Sequence, residues 1–341
     1  MNTLVRKTPP SPSPVYDTFW RFAHARQQVY HARLRGDPAP WTQDAILRAH
    51  RFTNCYRASD RVSQYLIGKV QRQGPQDPEN LVLRTLLFKL FNRIETWELL
   101  QQQCGPLDKE TFEVAGLDRA LTQARAAGVS VYSAAYIMPS GPAELRTTSK
   151  HRMHLEFLAR SLRDGTIARL AATAGGVQAL YHQLLALPGL GPFLAYQYAI
   201  DLNYTEFYQF SENAFVVPGP GARDGLRKCF TSLGDYTEAD ALHWMRERQG
   251  EEFVSRGLAF QDLWGRPLSS LDVQNLACEI SKVARIAHPE VKGISGREHI
   301  KQRYHPSDRP LPSPVFPKWW GVKVPPGLGA PSSAAQAFLT W

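Results

Sequence analysis

The sequence predicts an all-α protein, and three observations carry that prediction. Apolar residues recur at spacings of three and four through most segments between Asp17 and Ala287. Cap-forming Asp, Ser and Thr, first-turn prolines and closing glycines punctuate those segments where helices start and stop. The stretch with strand character, Val129 to Met138, is short and runs into Pro139 and Gly141.

Taken in order, residues 1–16 hold a proline and serine run that neither continues a helix nor feeds a sheet, so they read as a flexible arm. Asp17 to Arg35 is a helix with Phe19, Phe22, Ala23 and Tyr30 inward, closed by Gly36. A second helix follows Trp41 with Thr42 as its cap, and a third spans Asn54 to Val70. Asp77 and Pro78 open a segment that is apolar on most sides as far as Gln103, which suits the centre of a helical bundle. Its few small polar groups, Asn92 and Thr96, are expected to serve structural hydrogen bonds. Further helices are expected at Asp118–Ala127, Lys150–Arg163, Thr237–Gln249 and Leu271–Ala287, the last capped by Ser270. His151 and His154 lie three apart without a third metal-type residue nearby, so they read as structural. Residues 304–341 form a tail with prolines every few residues and Lys318, Trp319, Trp320 and Lys323 among them; wrapping the body through the tryptophans is its expected role, with contact to nucleic acid through the basic-aromatic cluster as the alternative. The body between the arms is residues 17–303.

The 341 residues are 43% apolar, enough for a substantial core. Forty Lys and Arg against 31 Asp and Glu give a formal charge of +9, which suits a polyanionic partner. Cys55, Cys104, Cys229 and Cys278 fall in no CxxC or Cys/His spacing, so neither a disulfide framework nor a zinc or iron–sulfur site is indicated. No apolar run reaches the roughly 18 residues of a membrane span, and MNTLVRKTPPSPSP lacks the apolar core of a signal peptide. A soluble, intracellular, DNA-associated protein without a membrane partner is expected.

Four motifs carry chemistry. In LYHQLLALPGLGPFLAYQYAIDL, two helical patterns flank Leu187–Gly191. Gly189 and Gly191 allow a tight turn with Leu190 between them, and the second helix starts with amides free to hold a phosphate. Arg57, Asp60, Arg61 and Gln64 share one face of the third helix, either as a solvated ladder or as the lining of a polar cleft. Gly219 and Gly221, in Pro218–Gly221, precede a helix and form an anion site in principle, or merely a turn. On the last helix Asp272, Asn275, Glu279 and Lys282 fall in one row, able to do acid–base work if the row faces a pocket, and a salt-bridged surface if it faces water.

The hairpin at Leu187–Gly191 resembles the DNA-binding element of the helix-hairpin-helix DNA glycosylase superfamily. That resemblance implies an all-α fold of two helical lobes with a cleft between them, and a hairpin holding DNA phosphate, often through a monovalent cation. Counting forward from Leu187 by the superfamily's usual separation lands on Ser211 in place of the catalytic aspartate, with Glu212 and Asn213 next. The cysteine pattern for an iron–sulfur cluster and the lysine of bifunctional glycosylases are both missing. FTNCYRASDRVSQYL, LFKLFNRIETWELL, SENAFVVPGPGARDGLRKCF and LDVQNLACEISKVAR together resemble the α-glutamyl/putrescinyl thymine pyrophosphorylase family, and the same module resembles the helical domain of some 5-hydroxymethyl-deoxyuridine DNA kinases.

This narrower resemblance implies an enzyme of DNA hypermodification. It would replace phosphate or pyrophosphate on phosphorylated 5-hydroxymethyluracil, in double-stranded DNA, with an amine or amino acid, beside a 5-hmdU DNA kinase partner. No GxxxxGK[ST] occurs, so the chain is not expected to be that kinase by a phosphate-loop mechanism. No cofactor is implied beyond a monovalent cation at the hairpin. Arg57, Arg61 and Lys282, with the amides at Gly219 and Gly221, suit the leaving-group charge. Glu212, Asp272 and Glu279 suit proton transfer, and Asp60 suits orienting an arginine. Gln64, Asn213 and Asn275 suit the uracil edge. Two alternatives stay open: a glycosylase excising a modified or damaged base, and a non-catalytic DNA-binding adaptor to the kinase.

Overall fold

The structure, a computed structural model, describes residues 7–134, 149–305 and 310–330. Its described residues form thirteen α-helices and a two-stranded antiparallel pairing, so the fold is all-α as predicted. The chain divides into two compact units. The first comprises Met1–Asp60, Phe215–Pro314 and Trp320–Trp341, the second Arg61–Ala214 and Val315–Trp319. No helix among the described residues is long and apolar enough to cross a membrane, and all four cysteines are free thiols.

In the first unit, α1 (Pro14–Arg35) starts at the Ser13 cap with Pro14 in its first turn and ends where Gly36 turns left-handed at φ 78°. It buries Phe19, Trp20, Phe22 and Tyr30. The arm expected to be loose is instead tied to this unit from Thr8 onward. Ser11–Pro12 (β1) pairs with Phe230–Ser232 (β2), and the Thr8 amide donates to Asp235 Oδ2 at 2.7 Å. Backbone hydrogen bonds, which a proline-rich composition does not reveal, hold it there. The short α2 (Ala45–Ala49) is capped by Asp44 rather than Thr42.

The core of this unit is the crossing of α11 (Pro220–Cys229) and α13 (Ser270–Ala287), onto which α1 and α12 (Glu238–Ser255) also pack. Two glycines permit it. A Cβ on Gly225 would lie 1.8 Å from the Ala277 carbonyl oxygen, and one on Gly221 2.3 Å from Cys278 Sγ. Both α12 and α13 begin with full capping boxes, Thr237 with Asp240 and Ser269 with Asp272, so the cap of α13 is Ser269, one residue earlier than expected.

The second unit contains α3 (Arg61–Tyr65), α4 (Pro78–Phe91), α5 (Ile94–Cys104), α6 (Val114–Ala126), α7 (Lys150–Arg163), α8 (Thr166–Ala171), α9 (Val177–Leu185) and α10 (Pro192–Asn203). Helix α4 is buried on nearly every side and packs on α7, α8 and α10, the central place its composition predicts. The single helix expected over Asp77–Gln103 is two, because Asn92 adopts φ 49° and ψ 38° and ends α4 before Ile94 opens α5. Asparagine tolerates that conformation, and the Lys89 ammonium donates to its Oδ1 at 2.6 Å. Lys89 also pairs with Asp201 at 3.0 Å, both side chains almost wholly buried. His151 meets Asp118 at 3.1 Å while His154 meets the Tyr132 hydroxyl at 2.8 Å, so the two histidines serve different neighbours. Val129–Ala134 form no strand, and the remainder of Val129–Met138, with Pro139 and Gly141, lies outside the described residues.

The tail is held at several points. In the second unit Gln64 exchanges two hydrogen bonds with the Val315 backbone, and the Lys318 amide donates to Glu206. In the first unit Trp320 lies under the Arg266 guanidinium at 3.6 Å.

Candidate active site

The row on α13 faces neither bulk water nor an apolar neighbour; it faces the segment from Phe52 to Asp60 in its own unit. The expected third helix does not form there. Residues 52–56 run irregularly, Arg57–Ser59 make one 3-10 turn, and Asp60 is extended at φ −70° and ψ 147° before α3 begins at Arg61. Local bonds explain the break. Asp60 Oδ1 accepts from the Asn54 amide at 2.8 Å, Asn54 Nδ2 donates to the Ser59 carbonyl at 2.7 Å, and Ser59 Oγ donates to the Tyr56 carbonyl at 2.7 Å. The shared face expected for Arg57, Asp60, Arg61 and Gln64 is therefore split. Arg57 and Asp60 belong to the first unit, Arg61 and Gln64 to the second.

Four residues of α13 clasp this segment, each from one polar position. Asp272 Oδ2 accepts from the Ser269 amide and hydroxyl at 3.0 and 2.8 Å while Oδ1 accepts from the Arg57 amide at 3.1 Å. It is thus a brace that fixes the Arg57 turn, and burial pushes its carboxyl pKa up. Asn275 Nδ2 donates to the Asn54 carbonyl at 2.8 Å, and its Oδ1 accepts from Thr53 Oγ1 at 3.5 Å. Glu279, 3% exposed, accepts from the Lys282 ammonium at 2.7 Å and from the Thr53 amide at 3.4 Å. Lys282 retains some exposure and lies 5.8 Å over the Phe52 ring.

Asp60 stands at the centre of this arrangement. Burial pushes its pKa up to about 7 and the Glu279 charge pushes the same way, against the Asn54 N–H and the Arg26 and Arg57 guanidinium groups, which favour the anion. The sequence reading missed two neighbours on α1. Arg26 donates to the Thr53 carbonyl at 3.0 Å and to Asn54 Oδ1, while its Nη1 is buried with no hydrogen-bond partner among the described residues. Tyr30 is 3% exposed and its hydroxyl likewise has no hydrogen-bond partner among the described residues. Burial raises that phenol's pKa and the Asp60 charge adds to the rise. A carboxyl whose pKa is lifted to about 7, a buried guanidinium nitrogen and a buried phenol hydroxyl thus lie in one largely enclosed polar region of the first unit. The i, i+4 spacing of Arg26 and Tyr30 was legible as a helix face, but Tyr30 reads there as ordinary core.

The glycine loop lies beside the same row. Gly219 caps α11 in extended conformation, Pro220 fills the first turn, and Gly221 abuts Cys278, the residue before Glu279. Gly221 accordingly has a packing role that its sequence context did not disclose. The other predicted residues belong to the second unit. Glu212 is buried there and Asn213 exposed. Arg61 is half exposed and reaches Glu95 at 3.6 Å. The hairpin forms as expected between α9 and α10. Gly189 has φ +85°, Leu190 is buried with its amide donating to the Leu187 carbonyl at 3.2 Å, and Gly191 caps α10 ahead of Pro192. A Cβ on Gly191 would meet nothing within 4 Å, so the outer side of the turn is open. A cavity of about 190 Å³ lies beside it, lined by Leu187, Pro188 and, from α7, Arg160.

Comparison with known proteins adds a family. The family model for the helical domain of 5-hmdU DNA kinase matches residues 13–293. A protein of Bacillus phage SP10 described as a 5-hmdU DNA kinase is 25% identical over 301 residues, which is 82% of this chain and 46% of that protein. The chain thus spans about half the length of the curated relative it matches. No solved structure matches.

Proposed function

The chain belongs to the family of 5-hmdU DNA kinase helical domains, and on that premise we propose that it modifies 5-hydroxymethyluracil in DNA by displacing phosphate or pyrophosphate from the phosphorylated hydroxymethyl group with an amine or amino acid. The observation that carries this reading is the Asp60 locus: a carboxyl whose pKa burial lifts to about 7, with the Arg26 and Arg57 guanidinium groups acting on it, beside the Glu279 carboxylate that accepts from Lys282. Such a set suits a reaction in which an anion departs and an ammonium must lose a proton.

The step balances simply. The exocyclic C–O bond breaks and phosphate leaves with the bonding electron pair, its charge met by Arg57 and Lys282. The methylene left on the ring is electrophilic, and the amine nitrogen forms the new C–N bond. The proton lost from nitrogen passes to a carboxylate, Asp60 or Glu279. Asp272 acts by fixing Arg57. The hairpin at Gly189–Gly191 holds DNA phosphate, with or without a monovalent cation, and an extruded base enters for reaction. Glu212 and Asn213 stay in the set to be tested by substitution, as do Arg61, Gln64 and the amides at Gly219 and Gly221.

An adaptor role is the second reading, favoured because the matching family is one domain of a kinase. One experiment separates the two. The protein is incubated with DNA containing phosphorylated 5-hydroxymethyluracil and a panel of amines and amino acids, and the digested nucleosides are analysed by mass spectrometry. A new amine-bearing nucleoside supports the transferase, abasic sites support a glycosylase, and unchanged DNA across the panel with DNA binding intact supports the adaptor.

A further inference from the structure

One strongly charged feature of the first unit has no part in the chemistry above. The segment from His288 to His305 has no regular secondary structure, yet it is fixed to the body at three places. The Ser295 amide donates to buried Asp224 Oδ1 at 2.7 Å, and Arg285 on α13 donates to the His299 carbonyl at 2.9 Å. The Arg51 amide and the Tyr304 amide, each 3.1 Å from its acceptor, pair residues 49–51 with 302–304. Asp224 is itself held by Lys228 at 3.2 Å and by Ser281 Oγ, both groups deeply buried. The fixing is tight: a Cβ on Gly293 would fall 2.3 Å from Asp224 Oδ1.

This clasp brings together exposed cations from two distant stretches, Arg48 and Arg51 with Arg297, Lys301 and Arg303. None of the five makes an ion pair among the described residues, whereas the exposed Arg21, Arg35, Arg223 and Arg248 each do. The nearby acids are already engaged: Glu298 pairs with Lys292 and Glu290 with His288, while Asp44 accepts the α2 amides. The tether at His299 starts from Arg285, one turn beyond Lys282 on α13, so the strip is fastened to the helix that carries the polar row. Like charges gathered on a fixed backbone repel one another, and a polyanion relieves that repulsion by neutralising them together.

We propose that Arg48, Arg51, Arg297, Lys301 and Arg303 form a second DNA-backbone surface, on the first unit, separate from the hairpin grip on the second. It reads phosphate and not sequence, and leads the duplex toward the α13 row. The inference rests on the DNA-modifying reading above.

The test is the salt dependence of binding to an unmodified labelled duplex, measured by anisotropy between 50 and 200 mM salt for the full chain. Replacing Arg51, Arg297, Lys301 and Arg303 by Gln is expected to flatten the slope of log K against log salt by about 2 to 4, with weakening equal across sequences. A control carries Gln at Arg21, Arg35, Arg223 and Arg248, with the same net charge, and is expected to keep a near-native slope. A native slope in the strip variant, with wild-type binding intact, overturns the surface alone. Equal flattening in the control overturns it too, as a general charge effect. Failure of wild-type protein to bind DNA overturns the DNA reading itself.

Discussion

Asp60 is a carboxyl that the fold holds in a costly state. Its pKa of about 7 lies above the ordinary value of 3.8, so the folded protein binds this proton more tightly than the unfolded chain does. The cost is absent below pH 4, grows as pH rises through the interval between the two values, and is complete above pH 7. Asp60→Asn, which preserves an acceptor for the Asn54 amide, is therefore expected to raise the melting temperature at pH 8 by about 2–4 °C. At pH 4 the gain vanishes. Thermal scans at the two pH values check this, and an equal shift at both would mean that Asp60 is not the group responsible. In turnover the same substitution is expected to flatten the pH–rate profile near neutrality. Glu279→Gln should lower product formation by at least about 100-fold while DNA binding survives, as measured by nucleoside analysis and anisotropy side by side.

At the scale of elements, the α11–α13 crossing depends on what Gly225 lacks. A methyl group there meets backbone, which cannot swing aside, so Gly225→Ala should cost more than about 3 kcal/mol in denaturant unfolding, far beyond an ordinary surface change. The break between α4 and α5 makes a second test. Asn92→Ala loses the residue best suited to φ 49° and removes an acceptor from the buried Lys89 ammonium, a combined cost of about 2–3 kcal/mol. A change within 0.5 kcal/mol of zero would mean that neither the left-handed turn nor the Lys89 ammonium depends on Asn92.

These elements also show how far the sequence could be read. The hairpin was legible because its code is local: Gly189 must turn left-handed and Gly191 must start a helix, whatever surrounds them. The α13 row was legible because helical spacing puts Asp272, Asn275, Glu279 and Lys282 together by arithmetic. The break at Asp60 was not, since Arg57, Asp60, Arg61 and Gln64 fit helical spacing perfectly and only the side-chain bonds among Asn54, Ser59 and Asp60 overrule it. The contribution of Arg26 and Tyr30 was equally hidden, because burial of a tyrosine hydroxyl beside a carboxyl is a tertiary fact. Lys89, Lys228 and the packing role of Gly221 were missed for the same reason: each acts through a residue distant in sequence.

For the whole molecule, the residues expected to form one site are distributed over two units. The first holds Arg57, Asp60, Gly219, Gly221 and the α13 row, and the second holds the hairpin, Arg61, Gln64, Glu212 and Asn213. The central claim is that this chain joins an amine to a phosphorylated hydroxymethyl base in DNA. The most direct measurement uses a nitrogen-15-labelled donor and counts, in one reaction, label incorporated into nucleoside and phosphate or pyrophosphate released. Equal amounts of both are expected, in wild-type protein and not in Glu279→Gln. Release without incorporation, or neither event on DNA that the protein demonstrably binds, would contradict the claim.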